Sequence, residues 1–159
     1  MLKKVLSNND CNSLVELSEK IGLVKNLSGW KFSEAVIEHH YTIDKLVKVF
    51  ESKMGYKVKG TPLMRVLKLN VNDKLTNYNF DYSALKTNFL KDTSFGVQVM
   101  LNDNFNGGTL TLRGVKQEYS AGDGTILNRS TKAKVSTIKE GQAYISLLHI
   151  FNLNTNNLI

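Results

Sequence analysis

The stretch from Thr93 to Leu112, TSFGVQVMLNDNFNGGTLTL, constrains the fold more than any other part of the sequence. Over positions 97–101 apolar side chains recur at every second residue, the spacing that turns one face of a β-strand towards a core. Positions 102–108 are rich in Asn, Asp and Gly, which tolerate the left-handed backbone of a chain reversal. Alternation resumes at Leu110 and Leu112. The stretch therefore predicts a hairpin-like pair of strands within an antiparallel sheet.

The segments on either side of this stretch differ in their periodicity. A helix is predicted from Ser7 to Ile21, because Ser7 is a good N-cap and Asp10 follows three residues later, as in a capping box. A second helix is predicted from Ile43 to Met54, with Thr42 as its cap. From Leu63 onward, short apolar runs separated by turn residues predict strands. A helical N-terminal third followed by strands is typical of an α+β fold.

Length and composition favour one domain over residues 1–159, because 42% of the residues are hydrophobic and the chain is short for two cores. The single cysteine, Cys11, excludes an internal disulfide and a multi-cysteine zinc site. The apolar run Leu2–Leu6 is too short for a signal-peptide core, and no later run has the length that spans a bilayer. We therefore expect a protein of the cytoplasm or of a virion, with no membrane partner and no secretion through a signal peptide.

The formal net charge of +7 raises the question of a polyanionic partner. The lysines are scattered along the sequence, and the densest group, Arg129, Lys132 and Lys134, lacks the interleaved aromatic residues that stack on bases. Nucleic-acid binding is therefore a minor alternative. The abundance of Asn and Lys beside one proline, Pro62, fits an AT-rich coding genome such as that of many phages.

Two motifs resemble a known family. The motif LND-x-F-x-GG-x-L at positions 101–110 resembles the central strand pair of iron(II)- and 2-oxoglutarate-dependent oxygenases of the prolyl 4-hydroxylase type. The motif LS-x-x-D-C-x-x-L-x-x-L at positions 6–17 resembles their N-terminal helix. The resemblance implies a double-stranded β-helix, a jelly-roll or cupin-like barrel, over residues 63–153. The mainly helical residues 1–60 would then pack outside the barrel as support.

The resemblance also implies where iron ligands should lie. The family holds iron through a His-x-Asp/Glu motif and a distant His, which leaves coordination positions open. The first motif falls on Asn79-Phe80-Asp81, so Asp81 is the surviving candidate ligand and Asn79 stands in place of a histidine. The distant His falls on Ala133, two residues before the V-x-x-I-x-x-G-x-A-Y segment that begins at Val135. Alanine has no atom that binds a metal.

The two positions at which the family binds 2-oxoglutarate have also lost the family's residues. Ala143 stands where the family has the Arg or Lys that pairs with the far carboxylate of 2-oxoglutarate, and Asn70 stands where a tyrosine often helps to hold it. We therefore predict a relative with no catalytic residues, no metal and no cofactor. Its function would be that of a structural or protein-binding module, such as a neck or tail component of a phage virion. Its partners would be proteins or further copies of itself.

An alternative is an active iron(II)/2-oxoglutarate hydroxylase in which Asp81 and unusual donors hold the metal. The adjacent His39 and His40 are interpreted as surface or capping residues, because neighbouring side chains do not readily converge on one metal. His149 shares strand parity with Ala143 and is interpreted as a core or rim histidine. The sequence leaves open whether the barrel interior is refilled by Phe80, Ala133, Ala143 and Leu147 or retains a small ligand pocket.

Overall fold

The computed structural model describes residues 1–25, 32–55, 57–78, 93–128 and 131–151. Along these residues the chain forms, in order, α1 (Asn8–Ile21), β1 (Val24–Lys25), β2 (Ser33–Ile37), α2 (Tyr41–Met54), β3 (Leu63–Leu69), β4 (Leu75–Tyr78), β5 (Thr93–Met100), β6 (Asn106–Gly107), β7 (Leu110–Leu112), β8 (Val115–Gln117), β9 (Gly124–Asn128), β10 (Ala133–Val135), β11 (Ile138–Glu140) and β12 (Ala143–Phe151). Neither helix is long and apolar enough to cross a membrane, as far as these residues are concerned.

The start of α1 is confirmed as a capping box. The Ser7 hydroxyl accepts the Asp10 N–H at 3.1 Å, and the Asp10 carboxylate accepts the Ser7 N–H at 3.0 Å. This exchange satisfies backbone donors that a helix N-terminus leaves without intrahelical partners. Cys11 and Leu14, on the inward face of the helix, are buried.

The predicted start of α2 is wrong, because the helix begins at Tyr41 and its cap is His40 rather than Thr42. The Nδ1 atom of His40 accepts the Thr42 N–H at 3.2 Å, so a neutral imidazole supplies the acceptor that Ser, Thr, Asp or Asn usually provides. The Nε2 atom of the same ring lies 2.9 Å from the Ser13 hydroxyl, which connects the start of α2 to α1. The predicted capping role for one of the two adjacent histidines is confirmed.

Among the described residues, the strands form two main antiparallel sheets. The larger has the order β1-β2-β3-β12-β5-β9, and the smaller has the order β4-β10-β7-β8; β11 and β6 form a separate pair. The helices pack on one face of the larger sheet, through an apolar cluster that includes Leu14, Leu46 and Phe50 from the helices and Val66, Val97 and Leu148 from the strands.

The other face of the larger sheet packs on the smaller sheet. We call the buried residues shared by the two sheets the intersheet core; they are Phe32, Leu67, Leu69, Leu75, Met100, Leu110, Leu127, Ala133, Val135, Ile138, Ala143, Ile145 and Leu147. Because both faces of the larger sheet are covered, its central strands are buried on both sides, as in β5, where residues 96–100 are all buried. The mixed α and β composition and the large antiparallel sheet confirm the predicted fold class at this level.

The predicted hairpin is wrong in one respect, because its two strands do not pair with each other. β5 pairs with β12 and β9 in the larger sheet, whereas β7 pairs with β10 and β8 in the smaller one. The turn residues between them carry the chain from one sheet to the other, and Asn106–Gly107 forms β6 against β11 on the way. Asn, Asp and Gly specify a reversal of the chain, but the burial of β5 on both faces determines which strands it pairs with.

The buried carboxylate of Asp10 yields the first testable prediction. Burial on its own would raise the pKa of Asp10, but hydrogen bonds from Lys45 Nζ and the Ser7 N–H outweigh it and lower the pKa from 3.8 to about 2. Asp10→Asn, which keeps a capping oxygen, is therefore expected to lower the free energy of unfolding by about 2 kcal/mol at pH 7. Chemical unfolding at pH 7 measures this loss.

The pH dependence of the same variant separates the charge from the cap. Since the folded pKa of Asp10 lies below the unfolded pKa, its contribution is present above about pH 4 and disappears as the pH falls towards 2. The difference in the free energy of unfolding between the parent chain and Asp10→Asn should therefore become smaller at low pH. Asp44→Asn, an exposed acid in the first turn of α2, is the matched control and should cost about 0.5 kcal/mol. Equal losses in the two variants would contradict the role of burial.

Candidate functional site

The two alanines predicted at degenerate site positions both lie in the intersheet core. Ala133 is 1% exposed at the start of β10, and Ala143 is fully buried at the start of β12. Ala143 pairs with Leu69 of β3, and Ala133 pairs with Leu112 of β7. The surroundings of both methyl groups are therefore apolar. Neither position offers an atom that can bind a metal or a carboxylate.

Asn70 lies next to the interior rather than in it. The side chain of this strand that belongs to the intersheet core is Leu69, whereas Asn70 is half-buried and begins a turn. Its backbone N–H donates to the Asp73 carboxylate at 2.8 Å, and the Asp73 N–H donates back to its carbonyl at 2.9 Å. The residue predicted at the tyrosine position of the family thus takes part in a turn.

The remaining predicted site residues, Asn79 and Asp81, lie outside the described residues, as does Phe80. The backbone just before them is described: Tyr78, the last residue of β4, pairs with Ala133 of β10. β4, which leads into the predicted His-x-Asp position, therefore lies beside β10, which carries the predicted position of the distant His. Among the described residues, no group of three His, Cys, Asp or Glu side chains is placed to hold a metal ion. These residues do not fit the three-ligand iron site of the family.

Buried polar residues lie on the interior face of the larger sheet, and sequence reasoning missed most of them. Arg65 and Gln98 are 2% and 1% exposed, and both pair with Leu147 of β12, one from each side. His149, two residues further along β12, is fully buried and pairs with Gly96 of β5. Residues two apart on a strand share a face, so His149 faces the same interior as Leu147.

The charge of Arg65 is compensated inside the fold. Its guanidinium donates to the carboxylate of Glu34 on β2, and the two side chains are 3% and 27% exposed. Gln98 Nε2 lies 3.7 Å from the sulfur of Met100, the next interior residue of β5. A guanidinium and an amide thus lie in one row of the larger sheet, and an imidazole lies on the same face two residues further along β12. We call Glu34, Arg65, Gln98 and His149 the interior polar cluster.

His149 is held in its neutral form. Burial, and secondly the positive charge of Arg65, lower its pKa well below 6.5. A neutral imidazole has one ring nitrogen that can accept a hydrogen bond or bind a metal. The prediction that His149 is a core histidine is confirmed by its burial. It lies six residues along β12 from Ala143, about 20 Å away, which is too far to replace the missing histidine of the site.

The histidines predict how stability depends on pH. Burial lowers the pKa of His40, and the pKa of His149 is lowered further, so the folded state binds fewer protons than the unfolded state. Their contributions are complete above about pH 6.5 and are lost as the pH falls below it, by up to about 1.4 kcal/mol per pH unit for each histidine. Chemical unfolding at several pH values between 7.5 and 5 measures this slope.

His40→Asn is the control for that measurement, because asparagine retains an N-cap acceptor and does not titrate. The slope of the free energy of unfolding against pH should be smaller in this variant. We attribute the slope that remains to His149. A parent chain whose free energy of unfolding is constant from pH 7.5 to 5 would contradict the prediction.

Comparison with solved structures shows which proteins have a similar fold. A prolyl 4-hydroxylase from Pseudomonas putida superposes with a TM-score of 0.72 at 10% sequence identity, covering 96% of this chain and 91% of that one. A viral collagen prolyl hydroxylase from Paramecium bursaria Chlorella virus-1, in complex with 2-oxoglutarate, has a TM-score of 0.70 at 15% identity, covering 96% and 94%. The α-ketoglutarate-dependent epimerase SnoN from nogalamycin biosynthesis has a TM-score of 0.65 at 13% identity, covering 94% and 77%.

No protein-family model matches the sequence, and no curated protein matches it. At sequence identities between 10% and 15%, the structural similarity shows a shared fold only. The neighbours nevertheless contradict the prediction that the chain has no cofactor. By their names they include a 2-oxoglutarate complex, a 2OG-Fe(II) oxygenase and an α-ketoglutarate-dependent enzyme, which point to iron(II) and 2-oxoglutarate. The sequence shows that the family's site residues are replaced. Replacement of these residues was not enough to predict that the chain binds neither iron(II) nor 2-oxoglutarate.

The motif at positions 101–110 and the helix motif at positions 6–17 suggested one family, and the superpositions cover nearly the whole chain. The suspected resemblance is confirmed by these structures. This chain therefore has the fold of the iron(II)- and 2-oxoglutarate-dependent oxygenases of the prolyl 4-hydroxylase type.

Proposed function

We propose that the chain is a protein-binding module built on this fold, a double-stranded β-helix whose oxygenase site lacks residues that turnover requires. The observation that carries the proposal is the burial of Ala133 and Ala143 in the intersheet core, at 1% and 0% exposure. The resemblance assigns these positions to a metal ligand and to the cation that anchors 2-oxoglutarate. Fold alone does not confer activity, which depends on the residues at the site.

The surroundings of Ala143 support this proposal. Leu69 pairs with it directly, and Ile145 and Met100 follow in the next row of the larger sheet. All of them belong to the intersheet core. A carboxylate placed among these side chains loses its hydration and gains no charged partner from Ala143, which is unfavourable by several kcal/mol. The volume near the anchor position is thus occupied by packed apolar groups.

Titration of the metal-stripped protein with Mn(II), a redox-silent substitute for Fe(II), tests the proposal. 2-Oxoglutarate is expected not to tighten Mn(II) binding, because a cosubstrate that lacks its cationic anchor gains little from chelating the metal. Clear tightening in the parent chain would contradict the proposal.

The partners proposed for this module are proteins or further copies of the chain, and its proposed location is a phage virion, in the neck or tail. The AT-leaning composition and the loss of site residues support this proposal. Light scattering on the purified chain and mass spectrometry of intact particles test it. A monomeric chain that is absent from particles would contradict this part.

A second candidate function is an iron(II)/2-oxoglutarate-dependent hydroxylase with unusual donors. It is favoured by the cofactors that the names of the structural neighbours give. In this alternative Asp81 supplies a carboxylate, and the other donors are residues that the family does not use. Metal binding that is lost in Asp81→Ala, with the fold retained, would support it over the first proposal.

A further inference from the structure

The outer face of the smaller sheet brings together positively charged side chains that are far apart in the sequence. Lys132, just before β10, and Lys134, on β10, are exposed, because Ala133 and Val135 belong to the intersheet core. Lys134 pairs with Thr111 of β7, and Thr111 pairs with Lys116 of β8. Residues paired directly across antiparallel strands share a face, so the two lysines lie in one row.

Arg113 extends this surface. It follows β7 directly, it is exposed, and its backbone N–H donates to the Lys132 carbonyl at 2.9 Å. We call Arg113, Lys116, Lys132 and Lys134 the basic face. Strand geometry separates Lys132 from Lys134 by about 7 Å and Lys134 from Lys116 by about 10 Å. Four positively charged residues therefore lie within a patch about 12 Å across.

Few acids oppose this charge among the described residues nearby. Glu118 lies 3.8 Å from Lys116, but both side chains are largely exposed, at 88% and 68%, so solvent screens the pair. Asp123, the other acid of segment 109–136, is buried and binds Lys3 and the Lys4 N–H on another part of the surface. The basic face thus keeps most of its positive charge available to a partner.

We propose that the basic face binds double-stranded nucleic acid through the phosphate backbone, without sequence preference. The excess of positive charge favours a polyanion, and a duplex requires only phosphate contacts from such a surface. None of the described side chains on this face is aromatic, whereas proteins that hold single strands stack bases on aromatic residues. The net charge of +7 adds long-range attraction towards the same partner.

A membrane surface fits the basic face less well. Peripheral membrane binding combines cations with apolar side chains that enter the lipid. On the three strands of the basic face, the described large apolar side chain with high exposure is Val115, at 61%. The other large exposed apolar side chains among the described residues belong to α1, β1, β2, α2 and the turn after β3; they are Ile21, Val24, Val36, Tyr41 and Val71. One exposed valine offers little apolar area to enter lipid, so charge dominates these strands, as in a phosphate-backbone contact.

Fluorescence anisotropy with a labelled DNA duplex of mixed sequence tests the proposal on the full chain. With about four phosphate contacts, the logarithm of the binding constant should fall against the logarithm of salt with a slope of about −3.6. Lys132→Gln/Lys134→Gln should reduce that slope to about −1.8 and weaken binding by about 100-fold at about 50 mM salt. The control Lys48→Gln/Lys53→Gln removes the same charge from exposed positions on α2 and should leave the slope unchanged.

The outcomes are decisive in both directions. Equal weakening in the two double variants would overturn the proposal, because the net charge alone would then explain binding. Salt-independent binding, or none at about 50 mM salt, would overturn it as well. Vesicles containing anionic lipid serve as the second probe, and binding to them but not to the duplex would assign the face to a membrane instead. Circular dichroism confirms that each variant is folded, and the result does not depend on whether the interior supports turnover.

Discussion

Gly107→Ala is expected to lower the free energy of unfolding by at least about 3 kcal/mol. Gly107 has a φ of +84°, and a Cβ atom built on it lies 2.3 Å from the Thr137 carbonyl oxygen and 2.9 Å from the Lys139 nitrogen. The left-handed backbone costs about 1 to 3 kcal/mol for a residue with a side chain. Both clashing atoms belong to the backbone, so relief requires β6 and β11 to move apart.

Gly114→Ala is the matched control for that substitution. Gly114 has nearly the same φ, +81°, but no atom of the described residues lies within 4 Å of the place that a Cβ atom would take, because it is in an exposed turn after β7. It should therefore cost about 1 kcal/mol, the backbone contribution alone. Chemical unfolding of both variants gives the difference. Equal losses would show that the close approach of β11 to the glycine turn does not constrain the fold.

Glu34→Gln is expected to lower the free energy of unfolding by about 3 kcal/mol. The substitution keeps the shape of the side chain but removes the negative charge that compensates Arg65, whose side chain is 3% exposed. Breaking a buried ion pair from one side costs about 3 to 5 kcal/mol, because the other charge stays in a region of low dielectric constant. The lower end applies here, since Glu34 is 27% exposed and water reaches part of it.

The double variant Glu34→Gln/Arg65→Met distinguishes charge from packing. Methionine has a volume similar to the arginine stem and needs no counter-ion, so the double variant should recover most of the stability lost in Glu34→Gln. Thermal unfolding of the three chains is the measurement. If the double variant is less stable than Glu34→Gln, the interior polar cluster stabilises the fold through more than charge compensation.

The features predictable from the sequence were those decided by nearby residues. The capping box at Ser7 and Asp10 is local, because both hydrogen bonds lie within one helical turn. The strand character of segment 93–101 follows from its own alternation. The positions of Ala133 and Ala143 were obtained from a motif of known spacing, and both residues lie in the interior.

The features that sequence reasoning missed depend on long-range pairing. Arg65 and Gln98 come together only because Leu147, on a third strand, pairs with each of them. The apolar neighbours of Arg65 in β3 gave no sign of a partner for its charge, since Glu34 lies on β2 and 31 residues away. The hairpin prediction failed for the same reason, because turn residues do not specify which strand becomes the neighbour.

The cap of α2 shows a different limit. Threonine is among the preferred N-cap residues and histidine is not, so propensity favoured Thr42, the wrong residue. The observed cap is stabilised by the Ser13 hydroxyl, which lies 2.9 Å from the second ring nitrogen. Tertiary contact therefore decided between two local choices.

The measurement that tests the central claim most directly is succinate release from 2-oxoglutarate by the purified chain with Fe(II) and ascorbate, followed by mass spectrometry. We expect succinate at the level of a metal-free control, because Ala133 and Ala143 supply neither a metal ligand nor an anchor for the cosubstrate. Succinate that depends on Fe(II) and disappears in Asp81→Ala would contradict it and establish the chain as a working oxygenase.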